Sequence, residues 1–217
     1  MKVNIDIVKG RVKVLPFYLF TLLLLLTSCK EKDDTIDEFP NWAHQNDEYY
    51  SIVVAEARDK IASGDASWAV FPSYSKPTTG YDYQYFDYVV AKKLENGSGT
   101  VSPIMTDTVL VHYVGRLKES NDKYKTLGME FDRTFPGGYN AQTDSYDFDP
   151  ALSTPVKFAV SGLINGFSTA LMQMHAGDHW RVYIPYQLGY GTSTSGSIPG
   201  GSTLIFDLRL ESFWHKK

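Results

Sequence analysis

The stretch Pro155 to Ile184, PVKFAVSGLINGFSTALMQMHAGDHWRVYI, changes its apolar period twice and so decides the fold. Val156, Phe158 and Val160 alternate, the period-two signature of a half-buried strand. From about Gly166 to His175 the period lengthens. Phe167, Ala170, Leu171 and Met174 fall at i, i+3, i+4 and i+7, one face of a short helix, and Gly177 follows as a stop. Trp180, Val182 and Ile184 then return to alternation. Outward from this centre, Val109 to Gly115 alternates with Val109, Val111 and Tyr113 on one side, and Leu204, Phe206, Leu208 and Leu210 do the same. Tyr83 to Leu94 is rich in aromatic and β-branched residues and ends at the turn pair Asn96-Gly97. Five strands against one short amphipathic helix predict an α+β domain over residues 81–217.

Upstream, the spacing predicts a second helix over Asn46 to Ala62. Tyr49, Ile52, Val53, Ala57 and Ile61 form its approximate apolar face, with Asn46 or Asp47 as cap and Gly64 beyond its end. Trp68 to Gly80 carries Pro72, Pro77 and Gly80 and reads as an irregular connection. Residues 46–80 are thus an N-terminal helical extension with too little core to stand alone. It is expected to pack on the later domain or on another chain. The longest irregular stretch runs from Arg133 to Thr154, with Asp144, Asp147 and Asp149, and loops of this length tend to be functional or disordered.

The first residues read as an address. Lys2, Lys9, Arg11 and Lys13 precede an apolar run from Leu15 to Leu26, shorter than the roughly 20 apolar residues of a membrane span. The run ends at Leu26-Thr27-Ser28-Cys29, which resembles the lipobox of bacterial lipoproteins. That resemblance implies a signal peptide over residues 1–28, acylation of Cys29 and a flexible tether over residues 29–45. Cys29 is the sole cysteine, which excludes an intrachain disulfide or a cysteine metal cluster. Lipid chains there would hold a soluble domain to a membrane. Lys30-Glu31-Lys32-Asp33-Asp34 reads equally as a solvated tether or as the acidic export signal of some Gram-negative lipoproteins. Loss of residues 1–28 removes a net +3 and takes the formal charge from −4 to −7, which argues against a nucleic-acid partner.

Several fragments share one family order: Val111-His112-Tyr113-Val114-Gly115, Phe131-Asp132, Pro155-Val156-Lys157-Phe158, Gly162 to Phe167, Gly189-Tyr190-Gly191 and Thr203-Leu204-Ile205-Phe206-Asp207. Together they resemble the FK506-binding-protein (FKBP) family of peptidyl-prolyl cis-trans isomerases, from roughly Tyr88 to the C-terminus. The resemblance implies a twisted antiparallel sheet wrapped around one short helix, and an enzyme that needs no metal or cofactor. It implies catalytic roles for Tyr113, Phe131, Asp132, Phe158, Tyr190 and Phe206. Leu163, Ile164, Phe167 and Ile198 would bind substrate, with the Ile164 N–H and the Tyr190 hydroxyl donating to substrate carbonyls and Ile198 closing one rim. Partners would be proline-containing polypeptides and FK506-like macrolides, and the extension mediates dimerisation in some relatives, so a homodimer is an option here. Two positions depart from the family pattern: Phe167 stands where tryptophan is common, and Val156 where phenylalanine is. Arg133 to Thr154 is longer than the corresponding family loop, an insertion expected beside the pocket with scope to cover its entrance.

Other patterns are weaker. His175 and His179 are four apart, but Gly177 lies between them and no glutamate follows His175, unlike a helical zinc pair. Asp144, Asp147 and Asp149 lack the spacing of a calcium loop and read as a solvated acidic loop. Asn96-Gly97-Ser98-Gly99 is not a dinucleotide loop, and no Gly-x-Ser-x-Gly elbow occurs. The expected function is a lipid-anchored prolyl isomerase that assists folding of exported proteins in the envelope of a Gram-negative bacterium. The alternative is a weakly active or inactive binding or chaperone module on the same scaffold. A carbohydrate-binding lipoprotein is a third reading, for which the tyrosines allow room but specify no sugar site.

Overall fold

The alternating segments all become strands. The structure is a computed structural model that describes residues 36–215, so the signal segment, Cys29 and the acidic run after it lie outside the described residues. The strands are β1 (Trp68–Pro72), β2 (Tyr88–Glu95), β3 (Thr108–Arg116), β4 (Glu130–Arg133), β5 (Tyr139–Asn140), β6 (Ser145–Tyr146), β7 (Val156–Ala159), β8 (His179–Ile184) and β9 (Leu204–Trp214). β5 and β6 form a small hairpin. The rest make one antiparallel sheet in the order β1-β2-β8-β9-β3-β4, with β7 also paired to β3.

Alternation puts Val109, Val111 and Tyr113 of β3, Trp180, Val182 and Ile184 of β8, and Leu204, Phe206, Leu208 and Leu210 of β9 in one buried cluster. The short helix α2, whose range is Asn165–Leu171, packs into that cluster through Phe167, Ala170 and Leu171. A helix this short has no independent stability in water, so its shape is imposed by the sheet. The contact is close: a Cβ on Gly166 would stand 2.2 Å from Ile184 Cγ2. The helix stops before the predicted His175. Gln173 and Met174 already make turn-type bonds to Ala170 and Leu171, and Gly177 at φ +92° redirects the chain into β8.

The N-terminal helix, α1, spans Trp42–Ala62 and so begins four residues before its predicted start. Asn46 is therefore not a cap. It is fully buried inside the helix, where Nδ2 donates to the Trp42 carbonyl at 2.7 Å and Oδ1 accepts from the Thr203 N–H at 2.8 Å. The predicted face is also rotated. Trp42, Tyr50, Val53, Val54 and Ala57 are buried, whereas Ile52 is 64% exposed and Ile61 is exposed too. Tyr50 wins the inward position because its hydroxyl reaches the Tyr88 carbonyl at 2.7 Å, satisfying its polar end. Val53, Val54 and Ala57 then meet Trp68, Val90, Tyr183 and Ile205 on the sheet face opposite α2.

Two further expectations are corrected. Trp68–Pro72 is not irregular: β1 pairs with β2 from Trp68↔Lys92 to Pro72↔Tyr88, and Pro72 sits at the end of an edge strand, where its missing N–H leaves no ladder bond unmade. The described residues before α1, 36–41, are docked rather than free. Glu38 accepts from the Ser120 hydroxyl and from the N–H groups of Asp122, Lys123 and Tyr124. The Ser120 bond, joined by those backbone donors, lowers the Glu38 carboxyl to about 2.

The long insertion folds on the far side of the sheet. β4 pairs with Val114 to Arg116 and β7 with Thr108 to Val111, so they are two halves of one edge, and the chain between them leaves it. Phe135 and Tyr146 pack on Val114 with Leu127, Tyr139 and Phe148 as a small separate core. Asp144 pins this unit, with Oδ1 2.8 Å from Arg181 and Oδ2 3.0 Å from Lys92, and it accepts from the Tyr139 hydroxyl. Burial opposes its ionisation, but the Tyr139, Arg181 and Lys92 bonds outweigh it and hold the carboxyl well below the ordinary range. The solvated-loop reading is thus replaced at Asp144 by a folded unit tied to β2 and β8, while Asp147 and Asp149 are exposed.

Candidate active site

On the α2 side, one cavity of about 340 Å³ is lined by Tyr113, Phe131, Asp132, Phe158, Gly162, Leu163, Ile164, Phe167, Tyr190 and Phe206. Strand alternation supplies Tyr113 and Phe206 from β3 and β9. β4 and β7 bring Phe131, Asp132 and Phe158 from the split edge, and the start of α2 brings Ile164 and Phe167. Phe167 forms the floor, edge-on to Phe206 at 4.9 Å between ring centres and to Tyr113 at 6.1 Å. Phe131 meets Phe206 edge-on at 5.6 Å, and Tyr113 lies 6.3 Å from Phe158. The three edge-on pairs have the perpendicular geometry that aromatic quadrupoles favour, and Tyr113 and Phe158 are tilted at 34°.

The polar groups are few. The Tyr113 hydroxyl donates to Asp132 Oδ2 at 2.5 Å, while Asp132 Oδ1 accepts from the Arg133 N–H at 2.8 Å. Burial, and then the neighbouring carboxylate, pushes the Tyr113 phenol above its ordinary range, so it stays a donor. Tyr190 is 43% exposed on the loop between β8 and β9. Ile164 precedes α2 in extended conformation, its carbonyl accepting from the Phe167 and Ser168 N–H groups. Among the described residues no acceptor takes its own N–H. The Ser168 hydroxyl donates to the Val160 carbonyl at 2.7 Å and ties the preceding turn to the helix.

Nine of the ten residues singled out from the sequence line this cavity together. Ile198 does not: it is 6% exposed, packs in the main core cluster and bridges to Ser195 through its backbone. No residue of the insertion that follows Asp132 lines the cavity. Two glycines of the site had no role assigned. Gly162 lines the wall. Gly115 lets Phe131 lie across β3, since a Cβ there would stand 2.5 Å from the Phe131 ring and 2.9 Å from Phe206. A glycine at an inward-facing strand position is the signal that could have revealed it.

The two suggestive histidines are engaged separately. His179 is held by Asp207 and Glu95 on the opposite face of the sheet, and His175 lies 3.8 Å from Asp178.

A twisted antiparallel sheet closed on a short helix, with an aromatic cavity at the helix start, is the arrangement the sequence resemblance implied. The chain belongs to the FKBP-type peptidyl-prolyl cis-trans isomerase family, whose model matches residues 99–211. It is 34% identical over 125 residues to the macrophage infectivity potentiator of Trypanosoma cruzi, covering 57% of this chain and 52% of that protein. It is 34% identical over 118 residues to the FKBP-type 22 kDa peptidyl-prolyl cis-trans isomerase of Escherichia coli, covering 54% and 46%. With the outer membrane protein MIP of Legionella longbeachae it shares 32% identity over 163 residues, covering 72% and 55%. The chain spans about half the length of these curated relatives.

Proposed function

We propose that the chain is a prolyl cis-trans isomerase whose Phe131, Phe158, Phe167 and Phe206 enclose the proline ring. The barrier of about 18–20 kcal/mol is amide resonance, which the twisted transition state has lost. A mostly apolar cavity favours that less polar form over the planar amide, and fixed donors hold the flanking carbonyls without reorganising. The observation that carries the proposal is the pairing of this aromatic enclosure with the free Ile164 N–H and the Tyr190 hydroxyl. Asp132 would hold the Tyr113 phenol in one orientation rather than act as a base.

Turnover on a short proline peptide, suppressed by FK506, is the expected result. Tyr190→Phe should lower kcat/KM about fivefold, the size of one hydrogen bond of roughly 1 kcal/mol. Asp132→Leu should lower it tenfold or more, since the Tyr113 hydroxyl loses a charged partner. Full turnover in both folded variants would reject these roles. Capture of unfolded chains without turnover would instead support the binding-module reading, which the smaller Phe167 floor favours.

We also place the chain in the envelope of a Gram-negative bacterium, with residues 1–28 as signal peptide and Cys29 as the acylated anchor. The name of the Legionella relative supports a membrane setting. Its partners there would be proline-containing exported polypeptides. A homodimer would have to use surfaces other than the α1 face already buried against the chain's own sheet.

A further inference from the structure

We infer that α1 is a positioning element for the loop that carries Tyr190, gripping both sides of its base. The loop runs from Gly189 to Gly201 and closes on itself where the Gly201 N–H donates to the Gly191 carbonyl at 2.9 Å. On the entering side, the Tyr186 hydroxyl and the Gln187 amide both donate to the Asp47 carboxylate of α1 at 3.3 Å. On the leaving side, the Trp42 indole N–H donates to the Ser202 hydroxyl at 2.7 Å, and the Thr203 N–H donates to Asn46 at 2.8 Å. Between these points the helix and loop backbones touch: a Cβ on Gly201 would stand 2.5 Å from the Ala43 Cβ.

The leaving-side bonds are protected. Asn46 and Thr203 are fully buried and Trp42 is nearly so, and a buried amide that loses its acceptor loses far more than an exposed one. The loop interior is different. It carries Gly191, Gly196 and Gly201 at positive φ, and inside the Gly201–Gly191 closure it is held by the Ser195–Ile198 bridge and by Ile198 packing into the main core. A glycine-rich loop with few internal bonds depends on its base, together with the Ile198 anchor, for its shape. Two α1 residues on successive positions, Asn46 and Asp47, therefore hold the two ends of the segment that presents the Tyr190 hydroxyl to the cavity.

This inference rests on the isomerase reading of the site, and it makes a particular kinetic claim. A loosened loop can still close on substrate, so the bound complex is unchanged, but ordering the loop is then charged against binding. Asp47→Ala and Asn46→Ala in the full chain should each raise KM several-fold, to roughly tenfold, with kcat little changed. Asp47→Asn, which keeps an acceptor, should restore KM. A merely structural role would lower apparent kcat with the folded fraction and leave KM alone. Hydrogen exchange of residues 189–201 gives a readout free of catalysis, and both alanine variants should lose protection there while the amides of β3 and β9 keep theirs. Unchanged KM and unchanged loop exchange in folded Asp47→Ala would overturn the inference. If wild type shows no turnover at all, the isomerase reading fails, and loop exchange alone still decides whether α1 positions the loop. Should Asn46→Ala fail to fold, Asp47→Ala, at a partly exposed position, carries the test.

Discussion

Asp207→Ala should destabilise the domain by about 2–3 kcal/mol, because it leaves the buried His179 ring nitrogen without its hydrogen-bond partner. Asp207 is 2% exposed and His179 is 1% exposed, and the two are hydrogen-bonded through His179 Nε2. Arg181, also buried, lies 3.8 Å from the second carboxylate oxygen. The alanine would leave a buried imidazole nitrogen without its partner, while Arg181 keeps Asp144 at 2.8 Å. Glu95 touches the other nitrogen of the same ring, but its side chain is 58% exposed, so Glu95→Ala should change stability by less than about 1 kcal/mol. Urea unfolding of the two variants measures the contrast. Equal losses would mean that burial does not set the energetics of this cluster, and Asp207→Asn, which retains an acceptor, should fall between them.

One residue earlier on β9, Phe206 points to the opposite face and should show a different signature. Phe206→Ala removes the ring that joins Tyr113, Phe131 and Phe167, at centre distances of 5.9, 5.6 and 4.9 Å. Truncating a buried phenylalanine typically costs about 3–5 kcal/mol. Because the ring also lines an open cavity, solvent can fill part of the void, which places the expected loss near 3 kcal/mol. Phe206→Leu keeps most of the volume and should cost less than about 1.5 kcal/mol. If the cavity is the active site, the alanine variant also loses turnover at temperatures where it is still folded. A destabilised alanine variant with full turnover would mean that Phe206 is core only.

The inward strand residues were legible because Val109, Val111 and Tyr113, Trp180, Val182 and Ile184, and Leu204, Phe206, Leu208 and Leu210 keep period two toward the α2 face, even though α1 covers part of the other face as well. The cavity was legible because its members sit in recognisable fragments, even though Tyr113 and Phe206 are far apart in sequence. What escaped depends on partners elsewhere in the chain. The phase of α1 is set by Tyr50 reaching the Tyr88 carbonyl, while Ile52 and Ile61, equally apolar, were left facing water. Pro72 suggested a break, but at the end of an edge strand it is harmless. The insertion's place on the far face follows from Asp144 meeting Arg181 and Lys92, a pairing that no local pattern announces. Ile198 is as buried as the cavity's Tyr113, Phe167 and Phe206 but does not line the cavity.

The split outer edge bears on how such a molecule survives its surroundings. An uninterrupted border strand offers a row of free amides and carbonyls on which a passing extended chain can nucleate. Here the β3 border is occupied by two four-residue strands, and between them the chain departs across the sheet. The opposite border, β1, is five residues long and ends in proline. Neither side offers a long template, so a domain whose proposed work brings it against unfolded polypeptides is shielded from being recruited into their aggregates.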